Sequence, residues 1–271
     1  MFFFDTADID YIKKLWKRFS KVIPSDLVAG ITTNPNAFSK INLTNLSEWK
    51  FTTKNLCKLV TEIRNDGKGV VYVQIPYSRM KKKQINEWID LILDWSDGRT
   101  KIGLKIPPFI EALELANSLK DKIDFNVTGV SDCATALRAF SYDVKYVSFI
   151  PGRMEEKGIN AKEQISFTNQ RKNSRSEIIT GSMRNIEGLA WACAYNTVPT
   201  IGARVWDEID QKISNEEFLN ILKSRQTLEK IEFSPLVNND MINLSLDFFK
   251  QMDDLGSKIY KDFLTITKNS I

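Results

Sequence analysis

Along most of its length the chain alternates short apolar runs with longer amphipathic stretches, so that a period of two gives way repeatedly to one of 3.6. Phe2-Phe3-Phe4 forms the first run and ends at Asp5 and Thr6. Residues 8–22 then place Ile9, Ile12, Leu15, Trp16 and Phe19 at helical spacing. Leu27 to Ile31 is the second run, closed by Thr32-Thr33-Asn34-Pro35, and a helix is predicted over roughly 47–65. Gly69 to Pro76 is the third run, with a helix after it over about 81–95. Lys101 to Ile106 is the fourth, followed by a helix from Ile110 to Leu119. Ile123 to Val127 is the fifth, with a helix over about 132–140. Lys145 to Ile150 is the sixth and leads into Pro151-Gly152-Arg153; the polar region 155–175 reads as one helix and a mobile loop. Glu177 to Thr180 is the seventh, opening into Gly181-Ser182-Met183-Arg184, and a helix to about 195 precedes the eighth, Thr197 to Ile201.

Parallel strands need crossovers of this length, and no Gly/Pro-rich linker divides the series. The predicted fold is therefore α/β, a (β/α)8 TIM barrel over about residues 1–205 with a C-terminal helical extension over about 206–271, in one domain. Within the extension Met241, Leu244, Phe248, Met252, Leu255, Ile259, Phe263 and Ile266 follow spacings of three and four and form one apolar stripe. It reads as a final helix capping the barrel. An arm packed on a neighbouring subunit, making a homo-oligomer, is a close second.

In such a barrel the loops that follow the strands gather around one mouth, so polar residues at strand ends are the candidates for chemistry. In Lys101-Ile102-Gly103-Leu104-Lys105-Ile106-Pro107-Pro108, alternation puts Gly103 and Lys105 on one face and Ile102, Leu104 and Ile106 on the other, and the prolines stop the strand. A lysine held among apolar neighbours loses hydration of its charged form, its pKa falls, and its neutral amine can attack a carbonyl. Taken alone, a single strand-end lysine is more simply a side chain that snorkels to solvent. Its companions change the weighting: Asp5, Thr32, Asn34, Gln74, Asn126, Thr128, Ser148, Arg153, Ser182 and Arg184 fall at the same predicted mouth, from every strand but the last. Lys105 could form an iminium with a ketone, and Asp5, the only carboxylate of the set, could take the proton when a carbon–carbon bond breaks. Asn34 and Asn126 could hold hydroxyls, Gln74 and Thr128 a water, and Arg153, Ser182 and Arg184 a phosphate. Each has a duller reading: Asp5 as a helix cap, the Thr-Thr-Asn-Pro stretch as a turn, the arginines as surface ion pairs, Asn126 as a partner for backbone groups.

Composition narrows the chemistry further. The chain contains no histidine, which removes Ser-His-Asp and Cys-His catalysis and His-ligated metals, and leaves proton transfer to carboxylates, lysine, tyrosine, hydroxyls or water. No metal or cofactor is expected. Cys57, Cys133 and Cys193 are few and widely spaced, suggesting neither a disulfide framework nor a zinc ribbon. A net charge of +4 suits anionic small molecules and is too mild for nucleic acid. In Arg79-Met80-Lys81-Lys82-Lys83 no aromatics interleave with the charges, so it reads as a solvated helix start. No apolar run approaches a membrane span and the first residues lack signal-peptide character, so a cytoplasmic location with no membrane partner is expected.

The chain resembles the transaldolase family, including its smaller fructose-6-phosphate-aldolase-like branch. The resemblance rests on Phe4-Asp5-Thr6, Gly30-Ile31-Thr32-Thr33-Asn34-Pro35, Lys105-Ile106-Pro107, Asn126-Val127-Thr128, Ser148 with Gly152-Arg153, and Ser182-Met183-Arg184-Asn185, in family order over about residues 2–202. It implies that Lys105 is the Schiff-base lysine and Asp5 the acid/base. It also implies that Thr32, Asn34 and Asn126 orient the sugar, that Arg153, Ser182 and Arg184 bind phosphate, and that the substrates are sugar phosphates. Gln74 matches a position that is glutamate in larger transaldolases and glutamine in the aldolase-like branch. The chain departs from the pattern at Ile150, where an aromatic is usual unless a bulge brings Phe149 inward, and at Asn36, Pro108-Phe109 and Thr135. The aromatic is associated with the choice between transferring and releasing the three-carbon unit.

The expected activity is that of a transaldolase moving a dihydroxyacetone unit between sugar phosphates. A lyase of the fructose-6-phosphate aldolase type is the alternative: Gln74 leans towards it, the chain length towards the transferase. A sugar-phosphate-binding barrel without catalysis is the third reading, and the joint presence of the lysine, the aspartate and both arginines argues against it.

Overall fold

A computed structural model describes residues 1–226, 232 and 236–268. The part of the expected 206–271 extension at 227–231, 233–235 and 269–271 lies outside the described residues. In chain order the elements are β1 (Phe2–Asp5), α1 (Ile9–Phe19), β2 (Val28–Thr32), α2 (Pro35–Ser39), α3 (Leu46–Ile63), β3 (Val70–Gln74), α4 (Lys82–Leu93) and β4 (Lys101–Ile106). Then come α5 (Ile110–Leu119), β5 (Asp124–Val130), α6 (Cys133–Ser141), β6 (Tyr146–Phe149), α7 (Pro151–Glu156), α8 (Ala161–Arg171) and β7 (Glu177–Thr180). The last are α9 (Ile186–Ala194), β8 (Val198–Gly202), α10 (Ala203–Lys212), α11 (Asn215–Lys223) and α12 (Asn239–Lys268). All eight strands pair in parallel with their sequence neighbours, and β8 closes on β1: the structure is a (β/α)8 barrel with a C-terminal helix.

Alternation along each strand divides the apolar residues into two sets. Ile102, Leu104 and Ile106 of β4 belong to the large outer core between sheet and helices, as do Phe2 and Phe4 of β1. Phe4 stacks on Trp206 of α10 with ring centroids 5.2 Å apart, which fixes the helix after β8 against the first strand. The inner set is smaller: Phe3, Ala29, Val70, Tyr72, Tyr146, Ile179 and Val198 fill the lower barrel. The rings of Phe3, Tyr72 and Tyr146 meet edge-on at 5.8–5.9 Å and plug it. Gly103 makes room for this plug, because a side chain there would collide with the Tyr72 ring. Gly30 is required for a different reason: its φ of 149° is open to glycine, and a Cβ would run into the Val70 carbonyl.

Four details depart from the sequence expectation. Asn34-Pro35 is a helix start as well as a turn, since Asn34 caps the short α2 with Pro35 in its first turn. The region 155–175 holds the end of α7 and all of α8, two helices where one helix and a mobile loop were expected. β5 runs to Val130, beyond the predicted Val127, by means of a bulge: Val127 pairs with Val147 but Val130 with Phe149, so β5 spends three steps where β6 spends two. α1 also stops short of the periodic pattern, at Phe19 rather than 22, because the chain must turn into the next strand.

The stripe of α12 lies on its own barrel. Met241, Leu244, Phe248, Met252, Ile259 and Phe263 are buried, Leu255 is partly so, and Ile266 at the end is exposed. Polar contacts fix the helix along the mouth. Ser245 Oγ donates to the Gly129 carbonyl at 2.7 Å, and Ser131 Oγ to that of Met241 at 2.6 Å. Asp253 accepts from the Ser78 N–H at 2.6 Å and its hydroxyl at 2.7 Å. Asp262 accepts the Leu46 N–H at 3.2 Å, one of the N-terminal donors of α3 that has no partner within its own helix. Gly256 lets the helix lie against Pro76, whose carbonyl occupies the place of a side chain. No described helix is long and apolar enough to cross a membrane.

Candidate active site

A cavity of about 280 Å3 opens at the carboxyl ends of the strands, above the aromatic plug. The register explains its lower wall. Asp5 pairs with Thr32 and Lys105 with Asn126, and Asp5 lies two residues beyond Phe3, on the same inward face.

Lys105 lines the cavity yet is 6% exposed. Its amine has no hydrogen bond or ion pair among the described residues, so the snorkelling reading fails. Burial pushes its pKa below the usual lysine value, opposed by the negative charge of Asp5. Asp5 is the one carboxylate lining the cavity among the described residues. Its Oδ1 accepts the Thr32 hydroxyl at 3.1 Å, and it does not cap the following helix: Asp8 does that.

On the other side of Lys105, Asn126 and Ser148 form a pair, the serine hydroxyl donating to Asn126 Oδ1 at 2.7 Å. Asn126 is fully buried and its amide Nδ2 has no partner, a deficit worth about 1–3 kcal/mol that a ligand hydroxyl would relieve. Thr128 reaches the cavity at the β5 bulge. Gln74 does not line the cavity: it is 1% exposed with Oε1 unpaired, and lies behind the wall beside Lys105 in the register. Asn34 combines the two readings, lining the cavity while its Oδ1 accepts the Ala37 N–H at 2.8 Å.

The third sector is cationic. Arg153, at the start of α7, and Arg184, after β7, both line the cavity, with Ser182 between their loops. Gly152 brings these loops together, since a Cβ there would collide with the Ser182 carbonyl; Ser182 itself has φ 58°, in the left-handed region. Arg184 Nε donates to Glu156 Oε1 at 2.8 Å, so the surface ion-pair reading is true of it in part. Arg153 is held by α12: its guanidinium donates to Gln251 Oε1 at 2.8 Å and lies 5.1 Å from the Phe248 ring centroid. Burial, and then the charge of Arg184, disfavour a second positive charge on Arg153, a tension that an anion between the two would relieve.

Several lining residues escaped the sequence reading. Lys40, Arg204 and Thr200 bring further polar groups, and Thr200 shows that the last strand contributes after all. Arg204 follows β8 by two residues and could have been found by treating that strand end like the others. Phe248 and Met252 reach the cavity from α12, and nothing in an apolar stripe marks which of its members face a cavity. Phe149 and Ile150 both reach the wall; the bulge in this region lies on β5. Among the described residues no group of three His, Cys, Asp or Glu is placed to hold a metal.

A family model described as Transaldolase/Fructose-6-phosphate aldolase matches residues 2–248. A protein named probable transaldolase from Thermodesulfovibrio yellowstonii is 29% identical over 189 residues, 68% of this chain and 77% of its own. One of the same name from Syntrophobacter fumaroxidans is 26% identical over 213 residues, 77% of this chain and 88% of its own. Among solved structures, a mandelate oxidase variant aligns with 74% of this chain and 68% of its own at a TM-score of 0.47 and 13% identity, a likeness too slight to bear on function.

Proposed function

Because this chain belongs to the transaldolase/fructose-6-phosphate aldolase family, we propose that it moves a dihydroxyacetone unit between sugar phosphates through a Schiff base on Lys105. The observation that carries the reading is the buried amine of Lys105, without a partner among the described residues, in a cavity where Asp5 is the one carboxylate among them. A lysine is a nucleophile only when neutral, and burial raises the neutral fraction near pH 7, tenfold for each unit by which the pKa falls.

The amine adds to the ketone carbon of a ketose phosphate, and loss of water from the carbinolamine leaves an iminium. Asp5 takes the proton of the hydroxyl on the carbon that departs. The bond between that carbon and its neighbour breaks, the iminium accepts the electron pair as an enamine, and an aldose phosphate leaves. A second aldose phosphate then accepts the enamine by the reverse steps. Asn126, with its open amide donor, and Ser148, Thr32 and Asn34 orient the sugar hydroxyls. Thr128 holds the water that makes and breaks the imine, while Gln74 stands behind the wall beside Lys105. Arg153, Ser182 and Arg184 bind the phosphate, and the strain between the two arginines favours an anion there.

A lyase reading has support in Ile150, which reaches the cavity wall at a position where the family resemblance implies an aromatic, and in Gln74, which the same resemblance matches to the aldolase-like branch. In that case the enamine is protonated at carbon to the iminium, water adds to it, and the resulting carbinolamine expels the Lys105 amine and releases the three-carbon ketone. Borohydride trapping with fructose 6-phosphate, followed by intact mass and peptide mapping, tests the chemistry. A reduced adduct on Lys105 is expected, and acceleration of turnover by erythrose 4-phosphate marks a transferase. A folded protein that yields no adduct with a range of ketose phosphates overturns both readings and leaves a binding barrel.

A further inference from the structure

We infer that Gln251 and Phe248 of α12 are positioning residues for the phosphate-binding arm Arg153, and so make the C-terminal helix part of the phosphate site. The inference rests on the proposed role of Arg153. Three observations carry it. Arg153 has no carboxylate partner among the described ion pairs, unlike Arg184 with Glu156. Among the described residues its guanidinium is held from α12, by the 2.8 Å bond to Gln251 Oε1 and by the face of Phe248 at 5.1 Å. The helix that carries both is in turn fixed beside the site, by Ser245 on the Gly129 carbonyl and Asp253 on Ser78.

The chemistry of the two contacts suits positioning better than neutralisation. A carboxylate at position 251 would hold Arg153 more tightly but would compete with an incoming phosphate. The amide oxygen of Gln251 orients one edge of the guanidinium while leaving its charge uncancelled, and the ring of Phe248 steadies its face. An arginine ordered before its ligand arrives loses less rotamer freedom on binding, a saving that corresponds to about two- to tenfold in affinity for one long side chain. The benefit goes only to substrates that carry the phosphate. The family match ends at residue 248, so Gln251 lies outside the part of the chain that the family model covers.

Gln251→Met, which keeps the side chain's length and removes the acceptor, is the main test. It is read by KM and kcat on fructose 6-phosphate and on unphosphorylated fructose, and by titration of inorganic phosphate. The expected result is a KM for the phosphorylated sugar raised about fivefold, phosphate binding weakened alike, and kcat on both sugars within twofold of wild type. In an Arg153→Ala background Gln251→Met should add nothing, because it acts through that arginine. Phe248→Leu should shift phosphate binding in the same direction and Phe248→Tyr should restore it. Equal losses on both sugars, an undiminished effect without Arg153, or unchanged phosphate binding overturns the inference. Should wild type form no adduct on Lys105, the catalytic proposal falls by itself, and the phosphate titration still decides this one.

Discussion

Asp5 sets its negative charge against the burial of the Lys105 amine: burial lowers the amine's affinity for its proton, and the carboxylate raises it. Burial is the larger effect. The acidic limb of any reaction that needs the neutral amine therefore lies below the ordinary lysine value, and Asp5 holds it higher than burial alone would. Removing the charge with Asp5→Asn should move the limb to lower pH, read from the rate at which dihydroxyacetone and cyanoborohydride modify Lys105. The same variant should lose about 10²- to 10⁴-fold in turnover, as expected for removal of a general base. A limb that stays put or moves to higher pH would show that the two groups do not interact.

The buried amine also costs stability. Its pKa is lower in the folded chain than in the unfolded one, so between the two values the unfolded chain binds more protons and wild-type stability rises with pH. Lys105→Met has no such group. It should abolish turnover yet raise stability at pH 7 by about 1–3 kcal/mol, the usual cost of a buried polar group without a partner. The gain should shrink towards pH 10.5. Urea midpoints at pH 7 and 10 check this, and a variant less stable than wild type at pH 7 contradicts it.

Arg184 is shared between Glu156 and the cavity. The pair is half-exposed and worth about 0–1 kcal/mol to folding, so Glu156→Gln should leave the thermal midpoint nearly unchanged. It should also free the guanidinium for phosphate and lower KM for fructose 6-phosphate by about twofold at low salt, with the gain fading as salt screens the charges. Arg184→Ala should raise that KM at least tenfold while sparing unphosphorylated fructose. Equal changes for both sugars would mean that Arg184 shapes the mouth without meeting the phosphate.

How much of this was legible in the chain differs from residue to residue, for physical reasons. The position of Lys105 was readable because a period of two assigns faces and two prolines mark where the strand must stop. Arg153, Ser182 and Arg184 were readable because each follows a strand end closely, and the barrel closes all eight ends onto one mouth. Gln74 was placed at the mouth with Thr128, but it does not line the cavity: whether an inward side chain reaches it or stays behind its wall depends on packing, which alternation does not encode. α2 was missed because five residues are too few to show a helical period, and Asn-Pro reads equally as a turn or a capped start. Phe248 and Met252 obey the same spacing as the core members of α12, so pattern cannot separate a residue that roofs a cavity from one that fills it.

Gly152 tests whether the two halves of the phosphate site depend on their spacing. The Ser182 carbonyl sits where a Cβ at position 152 would be, and the guanidinium of Arg184 comes to 3.1 Å of the same point. The obstruction is backbone, which cannot rotate away as a flexible side chain would. Gly152→Ala must therefore push α7 from the loop after β7, at about 1–3 kcal/mol for an overpacked site. Because Arg153 is the next residue, the push separates it from Ser182 and Arg184, and a phosphate that needs both arms should bind about tenfold more weakly. The denaturant midpoint reports the first effect and titration with inorganic phosphate the second. Loss of stability with phosphate affinity intact would show that the arms work independently. Intact stability would mean that the two loops part without cost, and the close approach at Gly152 would then not be what sets the distance between the arginines.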